Sequence, residues 1–537
     1  MKKFLSLLLM LGILFSFVFD SFAQEDISEL YKEDEIFANR TYADDSVIVV
    51  IKHEYSAMGK VFSPDDFDKN LIASVEDLFC ASATNKSLDG YNMDEYCQIL
   101  KLNLIEPSED NVKLAIRILK NNILIEEIIP NYISYTSPIL TDEIESDTIV
   151  LNQNAENEML ESKVPSIRAI SDDFYSEQYG VKITQADRAW GVAIGNVGER
   201  VKIGIIDSGI AEHPDLSSNY SSSNPLNINF TNENTLNDLA NHGTHVAGII
   251  GARGGNGDGI CGMIWFCELI NIKAYRKSSA PTISAETTDD WVTKAINHAA
   301  DNNIKVVNIS GDATYSLTLF WAIRNYNGLI VASAGNRRKD EGPMDITSYL
   351  VTGNLDNVIV VSASNESDEL WSDTKYHPND GDLFAPGEGI YSSINSNDYD
   401  YFNGTSMAAP FVTGTAALML AINPNLTTEQ IKSTILATTD PVSEFYVKCD
   451  SGGRLNTFAA ILAVSGYAVG DVNLDGEYTA VDARLVLRYS SRVETPDNLQ
   501  RTLSDYNHDR YITAEDSRLI LRHSAKLESV DEGVYTE

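Results

Sequence analysis

Three short segments carry residue types that could perform nucleophilic catalysis. Asn403-Gly404-Thr405-Ser406-Met407-Ala408-Ala409-Pro410 sets a serine between a glycine-threonine turn and an apolar run reaching Ile422. The run predicts a buried helix with Ser406 at its N-terminus, where unpaired N–H groups and the helix dipole favour negative charge. A serine that attacks a carbonyl and creates a tetrahedral oxyanion needs that environment. Upstream, Val201 to Ile206 is an apolar, β-branched run closing on Asp207-Ser208-Gly209. It predicts a buried parallel strand that delivers a carboxylate at its C-terminal edge, where open α/β sheets keep their sites. Between the two lies Asn241-His242-Gly243-Thr244-His245-Val246-Ala247-Gly248. His242 opens a small-residue helix and is the candidate base, whereas His245 is expected to be a packed neighbour. Serine and threonine are ordinary helix caps and aspartate an ordinary turn residue. Together, however, the three segments supply a nucleophile, a base and a carboxylate that orients the base.

Asp207-Ser208-Gly209-Ile210, His242 to Gly248 and Gly404 to Pro410, in the chain order Asp, His, Ser, resemble the subtilisin-like (subtilase) serine peptidase family. The resemblance implies an α/β domain over residues 166–466, a mostly parallel sheet with helices on both faces. It implies that Ser406 attacks the peptide carbonyl, His242 takes and returns the proton, and Asp207 holds the histidine tautomer. Asn336, in Ala332-Ser333-Ala334-Gly335-Asn336, matches the family's oxyanion donor. Asp382 to Gly387, Ser451 to Asn456 and Val306 to Ser310 match further family segments. Here the chain departs from the family: Ser310 is followed by Gly311-Asp312, where a large apolar residue is usual, so the wall of the S1 pocket is altered. Arg337-Arg338-Lys339 follow the oxyanion asparagine at the rim of that pocket, which suggests tolerance of or preference for Glu or Asp at P1; the alternative is that they face solvent or pair with Asp340 and Glu341.

Met1-Lys2-Lys3, the apolar run Phe4 to Phe19 and Ser21-Phe22-Ala23 read as a secretory signal peptide over 1–23. No other stretch is expected to cross a membrane. Residues 24–137 carry none of the catalytic motifs. The strand-like Val47 to Ile51, the helical Val112 to Leu119 and the apolar Ile123 to Ile129, ending at Pro130-Asn131-Tyr132, follow in order. That order resembles the small α+β propeptide of secreted subtilases, an inhibitor and folding aid. Between Pro138 and Val164 lie seven acidic residues and one base, Lys163. The composition predicts an exposed linker over 138–165, and processing is expected there or just after it.

Residues 471–490 and 505–524 repeat at an offset of 34. Asp471, Asn473, Asp475 and Asp482 stand at loop positions 1, 3, 5 and 12, as do Asp505, Asn507, Asp509 and Asp516. Oxygen donors at these positions, with the backbone carbonyl of position 7 (Glu477, Tyr511), suit a hard Ca²⁺ ion. A helical pattern follows each loop. The duplicated loop-helix resembles a type I dockerin, a small all-α calcium-binding module, over 469–530, ahead of a tail at 531–537. The resemblance implies a cohesin domain of a scaffold as partner, met through Ala480-Val481 and Ala514-Glu515. Position 6 is Gly476 in the first loop and Arg510 in the second, so the second site is expected to be the weaker. A further calcium site in the peptidase domain is left open.

The chain of 537 residues has a net charge of −38, from 40 basic and 78 acidic side chains. That argues against nucleic acid or an anionic membrane as partner. Of five cysteines, Cys261 with Cys267 or Cys80 with Cys97 could pair on export, and buried thiols are the plainer expectation. The reading is a secreted, extracellular serine endopeptidase, acting on proteins or peptides through an acyl-enzyme and attached to a scaffold that can itself be at the cell surface. The alternatives are an inactive subtilase-fold binding module and a free protease whose calcium module only stabilises it.

Overall fold

The computed structural model describes residues 42–526 apart from 53–54, 56–60, 80–97, 121, 136–163, 167–169, 197, 280–283, 312–316, 337–354 and 377–380. The expected signal peptide, Cys80, Cys97, most of the acidic linker, Asp312, Arg337-Arg338-Lys339 and the C-terminal tail lie outside the described residues.

The N-terminal unit is β1 (Tyr42–Ile51), β2 (Ile72–Phe79), β3 (Gln98–Leu104), α1 (Glu109–Leu119) and β4 (Ile125–Tyr135), followed after the linker by β5 (Val164–Pro165). The catalytic region contains β6 (Lys202–Asp207), β7 (Ile228–Asn229), α2 (His242–Gly251), β8 (Glu268–Lys273), β9 (Arg276–Lys277), β10 (Ala285–Thr288) and α3 (Asp289–Asp301). It continues through β11 (Val306–Ile309), α4 (Leu317–Arg324), β12 (Leu329–Ser333), β13 (Val358–Ser364), β14 (Leu383–Pro386), β15 (Ile390–Ile394) and β16 (Asp398–Phe402). It closes with α5 (Thr405–Ile422), β17 (Asp440–Pro441), β18 (Gly453–Arg454) and α6 (Thr457–Ser465). The C-terminal module has α7 (Ala480–Ser490), α8 (Asn498–Leu503), β19 (Tyr511–Ile512) and α9 (Ala514–Ser524).

The large sheet runs β17-β18-β14-β13-β12-β11-β6-β8-β7. Its described pairs are parallel except the edge pair β17–β18. Period-two alternation decides which residues face which layer. Ile203 and Ile205 of β6, Val306 of β11 and Leu329 and Val331 of β12 join a core shared with α2 and α5. Ile206, Val307, Ile309, Ile330 and Ala332 point the other way, into a core shared with α3 and α4. Asp207 ends β6 in phase with Ile203 and Ile205, which directs it to the α2/α5 layer. One described helix, α5, is long and apolar enough by length and composition alone to span a membrane. It is 89% buried in the core, so its apolar surface is already used by packing, at roughly 1.5–3 kcal/mol per large side chain.

The N-terminal sheet, β2-β3-β1-β4, is antiparallel and continues across the domain boundary, because β4 pairs with β10 through Ile133–Thr288 to Tyr135–Glu286. The strand therefore extends past Pro130-Asn131-Tyr132. Pro130, which lacks an N–H, stands opposite Val47 where the β1–β4 register shifts. Helix α1 starts at a Ser108 cap that accepts from the Asn111 N–H, and it buries Val112, Ala115, Ile116 and Leu119 on one face.

Candidate active site and calcium loops

The segment ahead of α2 fixes the histidine. The Asp238 carboxylate accepts from the backbone N–H (2.9 Å) and hydroxyl (2.8 Å) of Thr244, the N–H of Ala240 and the hydroxyl of Ser208. Buried and fully used, it ties the turn before α2 to the end of β6. Reading the sequence missed Asp238; its signal was a carboxylate four residues ahead of a helix-opening histidine. Gly243 lies so close to β6 that an added Cβ would stand 2.2 Å from the Gly209 carbonyl oxygen. Only glycine lets His242 reach Asp207.

That contact is made. His242 Nδ1 lies 2.8 Å from Asp207 Oδ1, with both side chains buried. Asp207 Oδ1 also accepts from the Ser208 N–H at 2.7 Å. The opposite ring nitrogen of His242, Nε2, is buried without a hydrogen-bond partner. Burial pushes the His242 pKa down, but the charge of Asp207 and its hydrogen bond outweigh burial, and the net shift is upward. His245 behaves oppositely. Its Nε2 lies between the carbonyls of Ile390 (3.0 Å) and Asp400 (3.1 Å), its ring stacks on Phe402 at 4.2 Å, and burial pulls its pKa to about 3. It is a neutral packing residue, as the sequence led us to expect.

Ser406 is the second residue of α5, which packs on α2. Its hydroxyl donates to the Ser310 carbonyl at 3.3 Å. Pro410 has no N–H to give to the Ser406 carbonyl four residues earlier. That carbonyl instead accepts from the Ser310 hydroxyl at 2.7 Å. Ser310 is held by the Asn308 amide (2.8 Å), whose oxygen accepts from Thr413 of α5 (2.8 Å). The first turn of α5 is thereby bolted to the end of β11. Asn336 follows β12. Its amide oxygen accepts from the N–H (2.8 Å) and hydroxyl (2.7 Å) of Thr405, which leaves its Nδ2 buried and unpartnered beside Gly404. An amide locked by its oxygen presents its N–H₂ to whatever occupies the site.

Asp207, His242, Ser406 and Asn336 thus gather at the C-terminal ends of β6, β11 and β12 and the N-termini of α2 and α5. A buried histidine–carboxylate pair, a serine opening a helix and an unpartnered amide donor on a parallel α/β sheet are the groups that a serine hydrolase uses. The subtilase family model matches residues 198–469, and the chain belongs to the subtilase family; a Dockerin type I domain model matches residues 469–523. The chain is 34% identical over 302 residues to the thermophilic serine proteinase of Bacillus sp. (strain AK1), covering 54% of this chain and 69% of that protein. It is 33% identical over 291 residues to subtilisin DY of Bacillus licheniformis, covering 52% and 97%. A solved protease structure from Pseudoalteromonas arctica is 24% identical and covers 56% of this chain and all of that one, with a TM-score of 0.44. The protein is a subtilisin-like serine-type endopeptidase with a C-terminal dockerin domain.

The dockerin loops close as their repeat predicts. In the first, Asp471 accepts from the N–H groups of Asp475 (3.1 Å) and Gly476 (2.9 Å). Asp482 accepts from the N–H groups of Val472 and Asn473 and, as a capping box, from Thr479. In the second, Asp516 does the same for Tyr506, Asn507 and Thr513. Asn473, Asp475 and Glu477 lie at the surface, as do Asn507 and Asp509, while Tyr511 pairs in β19. Asp505 Oδ1 is buried without a partner; an orphaned carboxylate oxygen inside an all-oxygen loop fits a hard cation. Among the described residues no three His, Cys, Asp or Glu side chains converge on a metal position. Arg510 adopts φ +69, where its counterpart Gly476 has +85. That conformation costs a non-glycine residue roughly 1–2 kcal/mol.

Cys261, Cys267 and Cys449 are free and buried, so the Cys261–Cys267 pairing is not made. Cys267 Sγ faces the Ile264 carbonyl at 4.0 Å, whereas Cys261 shares surroundings with Asp172, and burial raises both thiol pKa values.

Proposed function

We propose that Ser406, His242, Asp207 and Asn336 form the catalytic machinery of this endopeptidase. In catalysis the Ser406 hydroxyl leaves the Ser310 carbonyl and turns to the unpartnered Nε2 of His242. His242 takes the hydroxyl proton as Oγ adds to the peptide carbonyl, and Asp207 stabilises the imidazolium that results. The oxyanion is met by Asn336 Nδ2 and the Ser406 N–H. Collapse expels the amine with the proton from His242 and leaves an acyl-Ser406 ester, which water hydrolyses by the same route. The observation that carries the reading is the pair of buried, unpartnered donor and acceptor groups, His242 Nε2 and Asn336 Nδ2, whose other ends are locked by Asp207 and Thr405. A fluorophosphonate probe should label the wild type and leave Ser406→Ala unlabelled and inactive; labelling of both would remove Ser406 from the role.

The same reading extends to the C-terminus. Dockerin loops of this type hold calcium, here through Asp471, Asn473, Asp475, the Glu477 carbonyl and Asp482, and through Asp505, Asn507, Asp509, the Tyr511 carbonyl and Asp516. The module attaches the enzyme to a cohesin domain outside the cell. Ala480, Val481, Ala514 and Glu515, the pairs that would face a cohesin, are exposed. Pull-down with a cohesin tests this: capture by calcium-loaded but not chelated protein is expected.

A further inference from the structure

The second dockerin loop does not stand free of the enzyme. Strand β19 pairs with β5, the two residues at the end of the acidic linker, through Tyr511–Pro165 and Ile512–Val164. Val164 is buried in the dockerin's own core, among Val472, Val486, Ile512 and Ile520. The sequence placed Val164 and Pro165 in an exposed linker, yet they complete the dockerin. Helix α8 sits so close to the peptidase that a Cβ on Gly191 would meet Thr502 Oγ1 at 1.8 Å.

The polar contacts converge on the calcium loop itself. The Ser166 hydroxyl donates to Asp505 Oδ2 at 2.8 Å, and the Ser166 N–H donates to the Arg510 carbonyl at 3.0 Å. Arg188 Nη2 lies 3.6 Å from the same Asp505 Oδ2 and contacts His508. Asp505 Oδ2 thus accepts from the Arg510 N–H of its own loop at 3.1 Å and is also fixed from outside the loop, while Oδ1 is buried and unpartnered. Arg510 reaches back to the fully buried carboxylate of Asp187 and donates to the Lys182 carbonyl at 2.9 Å. Asp187 is itself held by the Tyr175 hydroxyl at 2.9 Å. The first loop has no such support: both oxygens of Asp471 bond to backbone N–H groups of their own loop.

We propose that the peptidase domain holds the second dockerin loop in its calcium-binding shape: Ser166 and Arg188 orient Asp505 from outside, Arg510 latches the loop onto Asp187, and calcium binding and dockerin docking stabilise each other. Groups that hydrogen-bond a ligating carboxylate fix its orientation, and their loss commonly costs 10–100-fold in metal affinity. The coupling is reciprocal, because two events that favour one arrangement must favour each other. The arginine at position 6 then has a purpose. It accepts a strained turn and gains a buried partner on the peptidase. The proposal rests on the reading that these loops bind calcium.

Two substitutions give opposite answers for a latch and for a merely poor turn. Calcium is titrated by calorimetry into the full chain carrying Ser406→Ala to prevent self-cleavage. The loops are told apart by silencing the first with Asp475→Asn or the second with Asp509→Asn. Ser166→Ala and Arg510→Gly should each weaken the second site by about 10-fold or more and leave the first unchanged. Hydrogen exchange at Val164 and Ser166 should quicken when calcium is removed. If Arg510→Gly tightens the second site, as restoring glycine to a strained turn would, or if Ser166→Ala leaves it unchanged, the coupling is wrong. A first loop that binds calcium beside an insensitive second loop overturns the coupling alone, and no binding in either loop overturns the calcium reading with it.

Discussion

In the proposed mechanism the loss of Asp207 or of Asn336 has a definite kinetic signature. The Asp207 carboxylate is what lifts His242 against the pull of burial. A base works only when neutral, so the acid limb of kcat/KM should lie above the ordinary histidine value of about 6.5. In Asp207→Asn that lift is gone. The limb should move to lower pH and kcat should fall by about 10⁴, the scale found for this change in a serine protease triad. An unmoved limb would detach Asp207 from the base. Asn336→Ala removes a donor made useful only by the oxyanion, so kcat should drop by about 10²–10³ with little change in KM, a magnitude carried over from a subtilisin. A mainly raised KM would place Asn336 in ground-state binding instead.

At the scale of elements, the joint between the N-terminal sheet and the enzyme is a buried charge pair. Asp290 on α3 is fully buried and bonds to Lys101 of β3 (2.9 Å), Asn131 of β4 (2.9 Å), Thr288 (2.7 Å) and Lys294 (3.2 Å). Burial pushes its pKa up, but Lys101 and Lys294 pull harder and the net shift is downward. A depressed carboxylate contributes stability above its unfolded pKa and loses it only as pH falls through the folded value. The joint should therefore hold at neutral pH and loosen only below the usual aspartate range. Lys101→Met leaves Asp290 with Lys294, so the loss should be smaller than the roughly 3–5 kcal/mol of a fully broken buried pair. On the reading of the N-terminal unit as an inhibitory propeptide, Lys101→Met should weaken inhibition by the separated unit about 10-fold, read from its inhibition constant; no change would mean that Lys101 contributes nothing to the docking. Maturation is expected to remove that unit by a cut ahead of Val164, since a later one would take β5 from the dockerin. N-terminal sequencing of the active form checks this, and the precursor should persist in Ser406→Ala.

The whole molecule couples three units that the sequence presents in a row. The N-terminal sheet borrows β10 and β9 from the peptidase, and the dockerin borrows β5 from the linker. Calcium bound only by the folded loops raises stability by RT ln(1 + [L]/Kd), about 2.7 kcal/mol per site at 100 times Kd. Scanning calorimetry should show chelation lowering the unfolding temperature of the mature enzyme as well as the dockerin. A peptidase transition that ignores chelation would mean that the two units unfold independently. Because the latch occupies the β19 side, Val481 and Glu515 remain accessible, and charge or alanine substitutions there should weaken cohesin capture without altering peptidase activity.

The sequence by itself determined what depends on local pattern. A continuous apolar, β-branched run placed β6, a family match placed β11, small residues placed α2 and α5, and the repeat of oxygen side chains placed the dockerin. Each of these is specified within ten or twenty residues by periodicity, turn chemistry or ligand count. Only the tertiary structure decided what depends on contacts distant along the chain. Asp238 has no motif of its own and gains its role from meeting Ser208 and Thr244. Pro410 looks like a flaw in a helix until Ser310 takes the carbonyl that it frees. Val164 lies at the end of an acidic linker, and nothing nearby in sequence says that it will pair with Ile512, 348 positions away. Arg510 read as a poor glycine because its partner, Asp187, lies 323 positions away. A side chain's worth is set by what surrounds it after folding, and for these residues the surroundings come from another domain.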